Sequence, residues 1–320
     1  MRNVLVTGGA GFIGSHLVEG LLSEGGWRVL VVDDFNDFYD PAVKRRNVAP
    51  HLSHEDFTLH EADIRDRAAL ARIFGETRFD CVVHLAARAG VRPSLEEPVL
   101  YAETNITGTL NLLELARSSG VRQFVFGSSS SVYGENEKVP FAEDDPVAKP
   151  ISPYAATKAA GELLCHAYSH LWGLRCVVLR LFTVYGARQR PDLAVHKFAR
   201  LIGEGKPIPV FGDGTTRRDY TFVDDIVAGV RAAMDYDAST YEVINLGESR
   251  TVSLSELISL LERELGRDAI IDRRPLQPGD VPQTFADITK ARRLLGYDPR
   301  TPIEEGVRRF VRWFRAEASG

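Results

Sequence analysis

The segment "VLVTGGAGFIGSHLVEGLL" runs an apolar stretch straight into Gly8, Gly11 and Gly14, then into a pattern of helical period. Few folds accept that order. A strand, a tight glycine turn and a helix opening let backbone N–H groups approach a pyrophosphate, and the helix N-terminus favours its charge. The spacing is G-x-x-G-x-x-G, a departure from G-x-G-x-x-G. The competing reading is a glycine-rich turn that holds no ligand.

The same rhythm continues along the chain. "NVLVT" (3–7), "RVLVV" (28–32), "DCVVHLA" (80–86), "RQFVFG" (122–127) and "RCVVLRL" (175–181) are short runs rich in Val and Leu. They read as strands buried on both faces of a parallel sheet. Helix patterns separate them, as in "FIGSHLVEGLLSEG", "NITGTLNLLELARSSG" and "YAATKAAGELLCHAYSHL". The alternation predicts an α/β, doubly wound parallel sheet over 1–182. From 183 the pattern changes. "GKPIPVFGDGTTRRDYTF" (205–222) is rich in glycine, proline and charge, and helix patterns follow at 224–235, 253–265 and 302–317. A smaller C-terminal substrate domain over 183–320 is expected, with segments near 219–245 returning to the first domain.

Composition removes several classes of function. A net charge of −5 argues against a nucleic-acid role built on a basic surface. No apolar run is long enough for a membrane span, and the opening "MRNVLVTGG" reads as a strand rather than a signal peptide. A cytoplasmic protein is expected. Cys81, Cys165 and Cys176 lack metal or redox spacing and read as buried thiols. His16, His84, His166 and His170 are scattered and read as structural or solvated. No metal site is expected. Trp313 and Phe314 read as a terminal helix packing on the small domain.

The second strand ends in "VVDD". Asp33 falls about 20 residues past the glycine turn, where a carboxylate takes adenosine ribose hydroxyls and repels the extra phosphate of NADP. NAD is therefore the expected cofactor; alternatively, Asp33 and Asp34 merely begin a solvated loop. Asp63, with Ile64, follows another strand and is placed at the adenine. Ser128 to Ser131 follow "RQFVFG", at the C-terminal edge of the sheet where ligands bind. Tyr154 and Lys158 lie four apart on one helix face. A phenol near pKa 10 needs about 3 units of help to act as a base at neutral pH, roughly 4 kcal/mol. A neighbouring ammonium supplies such help, and a serine hydroxyl relays the proton. The set suits removal of a proton from an alcohol while hydride leaves to NAD. A Y-x-x-x-K pair alone would be an exposed helix face.

"TGGAGFIGSHL", "DIRD", "HLAA", "SSSSVYG", "SPYAATKAAGE" and "RDYTFVDDI" resemble the extended short-chain dehydrogenase/reductase family over nearly the whole chain. Within it, "AGVRPSLEEP", "LFTVYGARQRPD" and "RRDYTFVDDIV" are most similar to nucleotide-sugar 4-epimerases, in particular UDP-glucuronate 4-epimerases. The resemblance implies a Rossmann-type fold with a smaller mixed α/β substrate domain. It implies Ser129, Tyr154 and Lys158 as catalytic residues. It places NAD on Gly8, Gly11, Phe12, Ile13, Gly14, Asp33, Asp63, Ile64, Leu85, Ala86, Ala87, Asn105, Tyr154 and Lys158. A UDP-sugar falls on Ser129, Tyr154, Thr183, Arg190, Asp192, Val210, Arg218 and Asp280. Asp192 stands where many members carry Asn, and Gln277 where Arg is frequent. Ser130, Ser131 and Thr183 are expected to donate to a C6 carboxylate; the alternative is that these small residues merely admit the sugar. Dehydratases and decarboxylases of the family typically place an acid just ahead of Val-Tyr-Gly, where this chain has Ser131. UDP-glucose and UDP-N-acetylglucosamine epimerases, or a non-catalytic NAD-binding regulator, are the rival readings. The family also implies a homodimer through helices at about 95–118 and 153–172.

Overall fold

The computed structural model describes residues 1–275 and 281–319. Its centre is a seven-stranded, wholly parallel sheet. The first half alternates strand and helix: β1 (Arg2–Thr7), α1 (Phe12–Glu24), β2 (Trp27–Asp33), α2 (Pro41–Val48), β3 (Phe57–Glu61), α3 (Arg67–Glu76) and β4 (Cys81–His84). Three helices, α4 (Val91–Glu96), α5 (Pro98–Ala102) and α6 (Gly108–Ser118), then lead to β5 (Gln123–Ser129). After β5 come α7 (Pro153–Trp172) and β6 (Arg175–Leu181).

Side chains of a strand alternate between faces, and here both faces are dry. Val4, Val6, Val125 and Val177 enter one core with Leu17, Val18 and Leu21 of α1. Leu5, Phe124, Phe126 and Val178 enter another with Leu70 of α3, Leu112 and Leu113 of α6, and Cys165 of α7. That two-sided burial is why the strands read as unbroken apolar runs. Each such aliphatic side chain stabilises the fold by about 1.5–3 kcal/mol.

The remainder is a mixture of short strands and helices: β7 (Thr183–Tyr185), α8 (Ala194–Glu204), β8 (Ile208–Phe211), β9 (Arg217–Phe222), α9 (Val223–Met234), β10 (Tyr241–Leu246), β11 (Thr251–Ser253), α10 (Leu254–Leu265), β12 (Ile271–Arg274), α11 (Thr289–Leu295) and α12 (Ile303–Ser319). Strand β10 pairs in parallel with β6 at the edge of the main sheet, giving the order β10-β6-β5-β4-β1-β2-β3. Helix α9 packs against α1 and β5. The chain thus re-enters the large layer at α9 and β10, while β9 stays in a small sheet with β7 and β11. Strands β8 and β12 pair separately, and α10 packs on α8 and α12.

The order of strands reverses between β1, whose outer neighbour is β2, and β4, which leads to β5 and β6. At such a switch point the connections leave on opposite faces, so a crevice opens beyond the carboxyl ends of the strands. No described helix is long and apolar enough to cross a membrane. The described residues contain no group of His, Cys, Asp or Glu arranged to hold a metal.

Candidate active site

A cavity of about 390 Å³ occupies that crevice. One end is the glycine turn. Gly8 has φ +71°, and a Cβ there would meet Ala86 N at 2.7 Å. A Cβ on Gly14 would lie 2.2 Å from Gly8 O. Both positions exclude side chains, so helix and strand close up and leave bare backbone facing the cavity. Gly11 begins α1 without any side-chain cap. The first helical N–H groups, at Phe12 and Ile13, therefore carry the helix's positive end to the cavity. Bare backbone at a helix N-terminus is geometry that can hold a diphosphate.

Asp33, the last residue of β2, is 6% exposed. Its Oδ2 accepts from Ala10 N at 3.1 Å and its Oδ1 from Phe35 N at 3.0 Å. Burial raises its pKa, opposed by Lys44, whose Nζ stands 4.0 Å away. A carboxylate offers about four acceptor sites, so two bonds leave room for ribose hydroxyls. Ile64, Leu85, Ala86 and Ala87 line the cavity beside it.

The other end is the one with chemistry. Ser129, Ser130, Ser131, Tyr154, Lys158, Thr183 and Arg190 all line it. Helix α7 is set by Ser152, whose Oγ accepts from Ala155 N at 3.1 Å, with Pro153 in the first turn. This start puts Tyr154 and Lys158 on the cavity side. Burial raises the pKa of the Tyr154 phenol; a hydrogen bond with Ser129 and the charge of Arg190 pull it down. The sequence gives that task to Lys158, but its ammonium donates to Gly127 O at 2.6 Å. A buried ammonium needs acceptors, and the carbonyl at the end of β5 supplies one. Arg190 is the cation whose charge assists the phenol. Its Nε and Nη2 hold Asp192 Oδ1 and Oδ2 at 3.0 and 2.9 Å. Asp192 does not line the cavity; it orients the guanidinium that does.

Several expected residues stand apart. Asp63 pairs with Arg65 at 2.6 Å and leaves the lining to Ala62 and Ile64. Asn105 does not reach the cavity. Its Oδ1 accepts from Arg88 N at 2.8 Å, and its Nδ2 donates to Arg88 O and Thr157 Oγ1, both at 2.9 Å. One amide hydrogen is thus committed to the loop after β4 and the other to α7. Val210 points into the core, 2% exposed, because β8 buries alternate residues. Arg218 lies on β9, donates to Arg217 O at 2.9 Å, and is not part of the lining. Asp280 and Gln277 lie outside the described residues.

Other lining residues escape the sequence patterns. Phe38 and Tyr39 follow Asp33 on the loop after β2, and Arg190 stacks over the Phe38 ring at 5.3 Å. Lys44 comes from α2, and Arg88 and Gly90 from the loop after β4. The two aromatics in "DDFNDFYD" are the signal that could have marked that loop.

A bare glycine turn at a helix N-terminus, a buried acid at the end of β2 and a Ser–Tyr–Lys set share one crevice, as in a dinucleotide-dependent enzyme of the Rossmann class that oxidises an alcohol. The chain belongs to the GDP-mannose 4,6-dehydratase family, within the extended short-chain dehydrogenases/reductases; the family's sequence model matches residues 5–310. It is 47% identical over 314 residues to a UDP-glucuronate 4-epimerase of Thermodesulfobacterium geofontis, covering 98% of this chain and 96% of the relative. The crystal structure of UDP-glucuronic acid 4-epimerase from Bacillus cereus, in complex with UDP-glucuronic acid and NAD, superposes with a TM-score of 0.94 at 37% identity. That match covers 99% of this chain and all of the other. A UDP-glucose 4-epimerase of Thermotoga maritima, with UDP-glucose, gives 0.90 at 37% identity, covering 99% and 100%.

Proposed function

We propose that this chain is an NAD-dependent UDP-glucuronate 4-epimerase, which interconverts UDP-glucuronate and UDP-galacturonate through a transient 4-keto sugar. The observation that carries this reading is the chemistry of the sugar end. Ser129, Ser130, Ser131 and Thr183 line the cavity with Tyr154, and the cations there are Lys158 and Arg190. Among the described residues, the acids in the lining are Asp33 and Asp34, at the opposite end beside the glycine turn. A dehydratase needs an acid beside the sugar for its later proton steps, and Ser131 occupies that place. The family's name therefore does not carry over as an activity.

The cradle of Gly8, Gly11, Phe12 and Ile13, with Asp33 beyond it, fits NAD, which supplies the acceptor and then the donor of the C4 hydride. Ser129 holds the C4 hydroxyl against Tyr154. Tyr154, as phenolate, takes the proton of that hydroxyl and returns it to the same oxygen after the keto sugar has turned its other face to the cofactor. Lys158 adds positive charge at the same wall. Arg190, a planar fork fixed by Asp192, suits a diphosphate. Arg218 and Asp280 are assigned to the UDP half on their position in the family pattern.

Ser130, Ser131 and Thr183 are neutral donors around one space. We assign to that space the C6 carboxylate, held without a full countercharge. Each hydrogen bond to a charged group contributes roughly 1.5–3 kcal/mol, so losing one costs about 10- to 100-fold. The test is kcat/KM for UDP-glucuronate and UDP-glucose in the wild type, Thr183→Val and Ser131→Ala. Preference for UDP-glucuronate that collapses in the variants is expected. Equal or better use of UDP-glucose by the wild type would leave a general UDP-hexose 4-epimerase, the second reading, which the Thermotoga maritima structure favours.

We also propose a homodimer. On α7, Ala156, Leu163 and Leu171 are exposed at helical spacing, and Val99 and Leu110 are exposed on α5 and α6. Leu163 is 71% and Val99 69% exposed. Pairing these faces between two copies would bury both. Three buried free thiols accord with the reducing cytoplasm as the location.

A further inference from the structure

One turn beyond Lys158 on α7 lies Glu162, 4% exposed. Its Oε1 accepts from Ser128 Oγ at 2.5 Å and from Arg180 Nε at 3.1 Å. Its Oε2 accepts from Arg180 Nη2 at 2.8 Å. Arg180, on β6, is 3% exposed and is the register partner of Ser128 on β5. It also donates to Glu143 O at 3.2 Å and stacks over Tyr133 at 4.8 Å. A buried ion pair of this kind adds little stability over apolar residues of the same volume. Its presence beside the reacting groups asks for another use.

The geometry shows one. Lys158 grips Gly127 through its carbonyl, and Glu162 grips Ser128 through its hydroxyl. Two side chains four apart on α7 thus hold two consecutive residues of β5. The next residue is Ser129. We propose that Glu162, itself held by Arg180 and Ser128, is a positioning residue for the catalytic set: it fixes the strand end that presents Ser129 and sets a carboxylate one helical turn from Lys158.

The groups around Lys158 leave this role to Glu162. Tyr154 and Cys165 share its helix, His84 comes from β4 and Phe126 from β5. Burial pushes the Cys165 thiol well up and the His84 imidazole down to about 3, so both are neutral. Burial lowers Lys158 to about 8, and the charge of Glu162 opposes that fall. Without the carboxylate the ammonium would lose its proton nearer neutrality.

The inference rests on the Tyr154–Lys158 reading above. It is tested with the full-length, NAD-loaded enzyme as the pH profile of kcat in wild type, Glu162→Gln and Glu162→Gln/Arg180→Met. The double variant removes the arginine that the single change would leave buried and unpaired. The alkaline limb should move down by about one unit in Glu162→Gln and by less in the double variant, with about 10-fold less turnover above the limb of Glu162→Gln and an unchanged KM for the UDP-sugar. A folded Glu162→Gln variant with the wild-type limb and turnover overturns the inference alone. So does failure of both variants to fold, which would assign the pair to stability. A wild type without epimerase activity overturns the underlying reading instead.

Discussion

Tyr154 is opposed by its burial and assisted by Ser129 and Arg190. Removing its hydroxyl while keeping the ring isolates the proton transfer. Tyr154→Phe should leave the fold intact and NAD bound, with turnover down by about 10²–10⁴-fold. Single-turnover kinetics with nucleotide release by acid check both halves; near-normal turnover would contradict the assignment. Residues of this kind were legible because chemistry restricts their types: a phenol four before a lysine, and serines at a strand end. Arg190's part was legible only as a diphosphate contact. Its effect on Tyr154 depends on a loop crossing from the small part of the chain, and local spacing carries no such information. Asn105, expected at the cofactor, is set back from the cavity lining for a related reason. Its position in the pattern lies beside the cofactor, but its amide is consumed by Arg88 and Thr157.

Among the elements, the small sheet depends on one buried carboxylate. Asp219 of β9 accepts from Glu248 N, Ser249 N and Ala286 N at 2.7, 3.1 and 3.0 Å. It therefore ties β9 to the turn after β10 and to the chain before α11. An asparagine nitrogen cannot accept these bonds. Asp219→Asn should cost about 1–3 kcal/mol for each orphaned donor, seen as a lower denaturation midpoint in urea. Stability equal to wild type would show that the junction relaxes freely. Strands β1, β2, β4, β5 and β6 of the large sheet and helices α1, α7, α9, α10 and α12 were readable from period and glycine punctuation, whereas β10 was not read as a strand. Strands β7, β8, β11 and β12, of three or four residues, were not. Runs so short carry no period, and their pairing is decided by distant partners, as Ile208 with Ile271. The burial of Val210 follows from that pairing.

The whole molecule presents a crevice between a large layer and a small one, and an apolar face on α5, α6 and α7. If that face joins two copies, Leu163→Arg places a charge at its centre. The variant should elute as a monomer by light-scattering chromatography while the wild type is a dimer; two identical masses would reject the interface. The crevice makes the stricter demand. An epimerase must return to the sugar the hydride it removed, so it keeps both cofactor and keto sugar until the second step. The most direct measurement uses UDP-glucuronate carrying deuterium at C4, purified enzyme and no added NAD. The account predicts UDP-galacturonate of unchanged mass with the deuterium still at C4. Loss of carbon dioxide or water, deuterium released to solvent, or dependence on added NAD for each turnover would contradict it.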